Sequence, residues 1–82
     1  MIIKYPLATE KSIRSIETEN KLVFVVDGKA SKAQIKAEAE KLLNVKVLTV
    51  NTHQMPTGEK RAYIRFGPQS PAIDIATKLG LM

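Results

Sequence analysis

Cysteine is absent from the 82 residues, so neither a disulfide framework nor a thiolate zinc site is available. The single histidine, His53, excludes any site that needs two imidazoles. There is no long hydrophobic run: the longest is Leu22-Val23-Phe24-Val25-Val26, far short of a bilayer span. Residues 1–5 carry one lysine among apolar neighbours and no small-residue cleavage site, which argues against a signal peptide. Glycine is sparse, at 28, 58, 67 and 80, each beside a turn or cap. Gly-rich phosphate loops, nucleophile elbows and His-rich metal spacings are therefore missing, as are repeats, low-complexity tracts and linkers. Carboxylates are outnumbered, 8 against 13 Lys and Arg, for a net charge of +5.

What is there suffices for one small domain over residues 1–82. Apolar residues make up 44% of the chain, near the lower size limit for a self-supporting core. The expectation is a small soluble intracellular domain whose basic surplus suits a polyanionic partner. Residues 2–7 are β-prone and interrupted by Pro6, as an edge strand is. Thr9 is placed to N-cap a helix with Glu10 in its first turn, Ile13 and Ile16 as a buried stripe, and Asn20 as a left-handed stop. Residues 21–27 form a strand apolar on both faces, Leu22, Phe24 and Val26 on one and Val23 and Val25 on the other, which predicts an internal position covered on both sides.

After the Asp27-Gly28 turn, Ser31 and Gln34 read as a capping box. Ile35, Ala39, Leu42 and Leu43 make the helix's core stripe, Lys32, Lys36 and Glu40 its other side, and Asn44 its end. Residues 45–53 alternate as Val45, Val47, Thr49, Asn51 against Lys46, Leu48, Val50, Thr52. A short connection, 54–59, leads to a strand over 60–66 with Ala62, Ile64 and Phe66 opposite Arg61, Tyr63 and Arg65. Ser70-Pro71 predicts a last helix, with Ala72, Ile75, Ala76 and Leu79 inward and Gly80 as its cap. This order implies an α+β fold, an antiparallel sheet covered by helices.

Three groups of residues could carry function. Lys32 sits in the first turn of a helix, where the macrodipole disfavours a cation, with Lys29 and Lys36 nearby. A solvated face and a phosphate held between these amines and the helix-end amides both account for it. Arg61, Tyr63 and Arg65 place two guanidiniums and a ring on one strand face. For Tyr63 packing under a helix is the better reading; for Arg61, at the strand start, RNA contact is. Asn51 and Thr52 are poor central-strand residues, suited either to closing a turn or to hydrogen-bonding ribose and base edges. His53 reads as a half-exposed strand-end residue rather than a stacking or proton-relay group. Asn51 with Arg61 or Arg65 supplies the residue types of a small phosphatase, but the Gly-rich cradle it would need is missing, so no enzyme activity, cofactor or metal is expected.

These pieces occur together in one family. Pro6-Leu7-Ala8-Thr9-Glu10-Lys11-Ser12 resembles the early Pro-x-x-Thr/Ser-Glu-Lys motif of large-subunit ribosomal protein twenty-three. Asn20-Lys21-Leu22 with Val25, the stretch Ala30 to Lys36, Asn44 to Val47 with Val50-Asn51-Thr52, Gly58 to Arg65, and Ala72 to Gly80 are similar to its later motifs in order. Phe66-Gly67 departs from the usual leucine and polar residue, and the short 54–59 connection resembles the archaeal-type form (or the core of a eukaryotic member) without the long tunnel hairpin of bacterial members.

The resemblance implies a three-layer α/β/α domain, a mostly antiparallel four-stranded sheet with helices on both faces. It implies binding of large-subunit rRNA at the rim of the polypeptide exit tunnel, beside neighbouring ribosomal proteins in the cytoplasmic ribosome. It further implies a share in the docking surface for the signal recognition particle and other nascent-chain factors, with no membrane insertion. Carried over by motif, RNA contacts fall on Thr9, Lys11, Lys32, Lys36, Asn51, Thr52, Lys60 and Arg61, and factor docking on Glu10. Arg65 joins the RNA set from strand alternation. A protein-interaction module meeting an acidic partner is the alternative.

Overall fold

A computed structural model describes residues 2–80. The elements are β1 (Ile3–Pro6), α1 (Glu10–Glu19), β2 (Lys21–Val26), α2 (Lys32–Leu43), β3 (Val47–Gln54), β4 (Lys60–Phe66) and α3 (Ala72–Lys78). The sheet is antiparallel throughout, in the order β1-β2-β4-β3, so the fold is α+β. β2 is internal, and all five residues from Leu22 to Val26 are at most 4% exposed, as its doubly apolar pattern requires. No helix among the described residues is long and apolar enough to cross a membrane.

Local chemistry sets the helix ends. Thr9 Oγ1 accepts from the Ser12 amide and Ser12 Oγ accepts from the Thr9 amide, a closed capping box. The buried Ser12 hydroxyl also donates toward the carbonyls of Leu7 and Thr9, which fixes the angle between β1 and α1. Ser31 and Gln34 form the second box. Both helices stop at an asparagine in the left-handed region, Asn20 at φ 53° and Asn44 at φ 54°, a conformation this short amide side chain tolerates better than most residues do.

One core collects Leu22, Phe24 and Val26 of β2, Ala62, Ile64 and Phe66 of β4, Ile16 of α1, Ile35 and Ala39 of α2, and Ile75 of α3. Phe66, at the position where the family pattern has leucine, is buried within it. α2 lies against β3 and β1, and α3 against β2 and α1. Beyond the end of β1, α1 runs beside β2. Its Ile16 enters the core, while Lys11, Ser15 and Glu19 border Val23 on the other side of the sheet. All three helices place buried residues in this one core, and on the other face of β2 it is the polar flank of α1 that comes near.

Several expectations need correction. The even alternation across residues 45–53 is broken by an irregularity between Val47 and Thr49. Val47 and Val50 then share the core side, and Leu48 is turned out at 56% exposed. In α2 the buried stripe is Ile35 and Ala39, with Leu43 partly buried, while Leu42 is exposed; the helix meets a narrow strip of sheet, and i, i+4, i+8 is all it covers. Glu40 is not part of a solvated side. Its carboxylate accepts from the Val47 amide at 3.0 Å, and that of Glu38 accepts from the Ile3 amide at 2.7 Å, so α2 is tied to both rims of the sheet.

The last helix starts at Ala72 with Pro71 at the cap position, and Ser70 makes no side-chain cap. The acceptor comes from far away: Asn20 Oδ1 takes the Ala72 amide at 2.6 Å. The Asn20 amide nitrogen lies 3.0, 3.2 and 3.4 Å from the carbonyls of Phe66, Gly67 and Ser70. Leu79 is also exposed.

Asn20→Gly keeps the left-handed backbone accessible but removes these bonds, and should destabilise the domain by about 2 kcal/mol. Asn20→Ala adds a backbone penalty of about 1 kcal/mol. Urea denaturation midpoints of the two variants separate the two contributions.

Candidate nucleic-acid interface

β4 divides its side chains cleanly. Ala62, Ile64 and Phe66 enter the core, so Arg61, Tyr63 and Arg65 lie on the other face. Register adds neighbours on that face: His53 stands opposite Arg61, Asn51 opposite Tyr63 and Thr49 opposite Arg65 on β3, with Val25, Val23 and Lys21 opposite the same three on β2. Asn51, His53, Thr49 and Arg65 are exposed, and Arg61, Tyr63 and Lys21 are half-buried. Tyr63 is half-buried on this face, beside α1. It borders the polar flank of α1, with the Lys21 ammonium 5.6 Å from its ring centroid.

That flank and the strand face enclose a hollow of about 340 Å³, lined by Leu7, Thr9, Lys11, Glu19, Lys21, Val23, Arg61 and Tyr63 among others. Thr9 and Lys11, reached by motif, and Arg61, reached by strand alternation, therefore meet at one place. Lys21 was not foreseen as part of any site; its position on the face shared with Val23 was the available signal. Its ammonium pairs with Glu19, and that hydrogen bond and charge hold the Glu19 carboxyl below the usual glutamate value. The Arg61 Nε lies 3.7 Å from Glu59 Oε1, too long for a hydrogen bond, and is buried without an acceptor.

The remaining residues lie elsewhere. Thr52 stands opposite Ala62 and so takes the core side of β3, which separates it from Asn51. The Lys60 ammonium donates to the Ala30 carbonyl at 2.8 Å, which ties β4 to the loop before α2. Lys32 and Lys36 are both exposed, one turn apart on α2, away from the hollow; Lys36 instead borders a second hollow with Lys46, Leu48 and Pro68. The Ser31–Gln34 box uses the amides of Ser31 and Gln34, leaving those of Lys32 and Ala33 without an acceptor inside the helix. Glu10 is exposed in the first turn of α1, in a loose 3.5 Å pair with Arg14. No cluster of His, Asp or Glu among the described residues has metal-binding spacing.

The β3–β4 connection is a tight turn. The Met55 amide donates to the Glu59 carbonyl and that of Gly58 to the Met55 carbonyl, with Gly58 at φ 91°. No extended hairpin is present at this point.

The ribosomal protein L23 family model matches residues 1–73. The chain is 47% identical over 81 residues, 99% of its length, to the large ribosomal subunit protein uL23 of Tetrahymena thermophila, covering 54% of that protein. It is likewise 47% identical over 81 residues to the large ribosomal subunit protein uL23 of Trypanosoma brucei brucei, covering 49% of it. The chain thus spans about half the length of these curated relatives.

The Glu19 carboxyl is lowered chiefly by Lys21, and that of Asp27 chiefly by the Lys29 amide. Depressed carboxyl values in the folded state add stability that is complete above the ordinary carboxylate range of about 4 to 4.5 and is lost as the pH falls through the folded values. Melting temperatures should therefore fall from about pH 4.5 downward. Glu19→Gln should flatten that acid limb, which a calorimetric pH series would show.

Proposed function

Since the chain belongs to the ribosomal protein L23 family, we propose that it is a non-enzymatic, structural part of the large ribosomal subunit in the cytoplasmic ribosome, bound to large-subunit rRNA and abutting neighbouring ribosomal proteins. The observation that carries the RNA-binding reading is the sheet face bearing Lys21, Arg61, Arg65, Asn51 and His53, flanked by Thr9 and Lys11. Cations neutralise phosphates along it, while Asn51 and Thr9 offer hydrogen bonds to sugar and base edges. Lys32 and Lys36 form a second, separate contact region at the start of α2, where the helix-end amides add to the attraction for phosphate. Lys60 contributes by holding the hairpin against the α2 loop, and Thr52 contributes from the opposite face to Asn51.

The finer placement, at the rim of the exit tunnel, follows the family resemblance, and the tight Met55–Glu59 turn is compatible with a form that sends no hairpin into the tunnel. Glu10 is the position for docking the signal recognition particle and other nascent-chain factors, because its carboxylate is exposed although it also opens α1.

Lys32→Ala combined with Lys36→Ala should weaken binding to an rRNA fragment and reduce the log–log salt slope by about 0.7 to 0.9 per lost phosphate contact. An unchanged slope in filter-binding titrations would return both lysines to solvent. Glu10→Ala should leave RNA affinity intact while weakening factor docking on assembled subunits. Lost RNA binding would instead make Glu10 a residue of the helix start. Nuclease-sensitive co-purification would favour RNA as the partner, and association that resists nuclease would favour a protein.

A further inference from the structure

We propose that the hollow between α1 and the β2–β4 face is a pocket for one unstacked nucleotide, with Tyr63 as the surface for the base and Arg61 and Lys11 as the phosphate ligands. The proposal rests on the RNA-binding reading above and deepens it, assigning one site to the recognition of a splayed-out base rather than to general neutralisation of the backbone.

Three observations converge. The volume, about 340 Å³, falls within the range of small-ligand sites. The lining is divided as a nucleotide requires: Leu7, Val23 and the Tyr63 ring are apolar or aromatic, while Lys11, Lys21 and Arg61 outnumber the one carboxylate, Glu19. The Lys21 ammonium lies 5.6 Å from the Tyr63 ring centroid and is paired with Glu19, so a base stacking on this ring takes the place of that ammonium.

Arg61 supplies the third observation. Its buried Nε has no acceptor, an arrangement that calls for an explanation in a folded domain. The side chain as a whole is 28% exposed, so a phosphate oxygen meeting the open end of the guanidinium can be shared with Nε after a change of rotamer. A planar fork with one arm unused suits a bidentate anion. Asn51, opposite Tyr63 on β3, stands next along the face for the neighbouring sugar or base.

Arg14, Arg61 and Arg65 are the chain's arginines, so the Arg61 Nε–H resonance is readily assigned in a nitrogen-15 correlation spectrum. Titrating the full chain with adenosine and uridine heptaribonucleotides should shift that resonance and the Tyr63 ring signals together and saturably. Tyr63→Leu should weaken heptamer binding at least about fivefold with an unchanged salt slope, as loss of a stacked base does. Tyr63→Phe should retain the affinity, and Lys11→Ala should lower both affinity and slope.

Equal shifts with adenosine monophosphate would locate the same chemistry in a free nucleotide and still support the pocket. Inorganic phosphate reproducing the whole effect, with Tyr63 silent, would overturn it, as would a folded Tyr63→Leu chain with unchanged heptamer affinity. If Tyr63→Leu left rRNA-fragment and heptamer binding alike unaltered, the pocket would fail while the rRNA reading stood. Heptamer shifts at Arg61 in a chain that ignored rRNA would do the reverse.

Discussion

The fold turns on the amide of Asn20. Its backbone stops α1 in a left-handed conformation, and its side chain reaches the end of β4, the turn that follows, and the first amide of α3. Two helices and a central strand are thereby registered by one residue. Because β4 is held at its Phe66 end, the alternation of its remaining side chains is fixed as well. Arg61, Tyr63 and Arg65 face away from the core as a consequence of where the strand is anchored.

From that register the proposed interface follows by the pleat alone. Cross-strand pairing brings Asn51 and His53 beside Tyr63 and Arg61, and the docking of α1 along β2 adds Thr9 and Lys11 from a segment some fifty residues earlier. The basic groups do not merge into one patch. Those on α2 lie apart, so a polyanion touching both regions has to pass around the domain, which suits a folded RNA better than a short linear acidic peptide.

Much of this was legible in the residues. Thr9, Ser31, Asn20 and Asn44 announce helix ends through local hydrogen-bonding chemistry, and Leu22 to Val26 announces an internal strand by being apolar on both faces. What escaped was long-range. Ser70-Pro71 looked sufficient to start α3, whereas the acceptor for its first amide is supplied by Asn20, distant in sequence. The register shift at Leu48 left no mark because valines continue on both sides of it. Glu40 read as a solvated charge, and neither its bond nor that of Glu38 to a sheet rim has a local signal. Among the site residues, the face of each β4 side chain was readable from period-two alternation, but the hollow was not, because one wall belongs to α1. Thr52 and Lys60 carry motif resemblance, but both stand apart from the hollow, Thr52 by alternation and Lys60 through its bond to the Ala30 carbonyl.

The paired glutamates of α2 have an effect outside the folded core. Outer strands with open amides invite pairing with other chains, and here each rim carries a carboxylate seated on one such amide, at Ile3 and at Val47. A newly made copy is thus partly blunted against self-templated growth by charges that belong to its own helix.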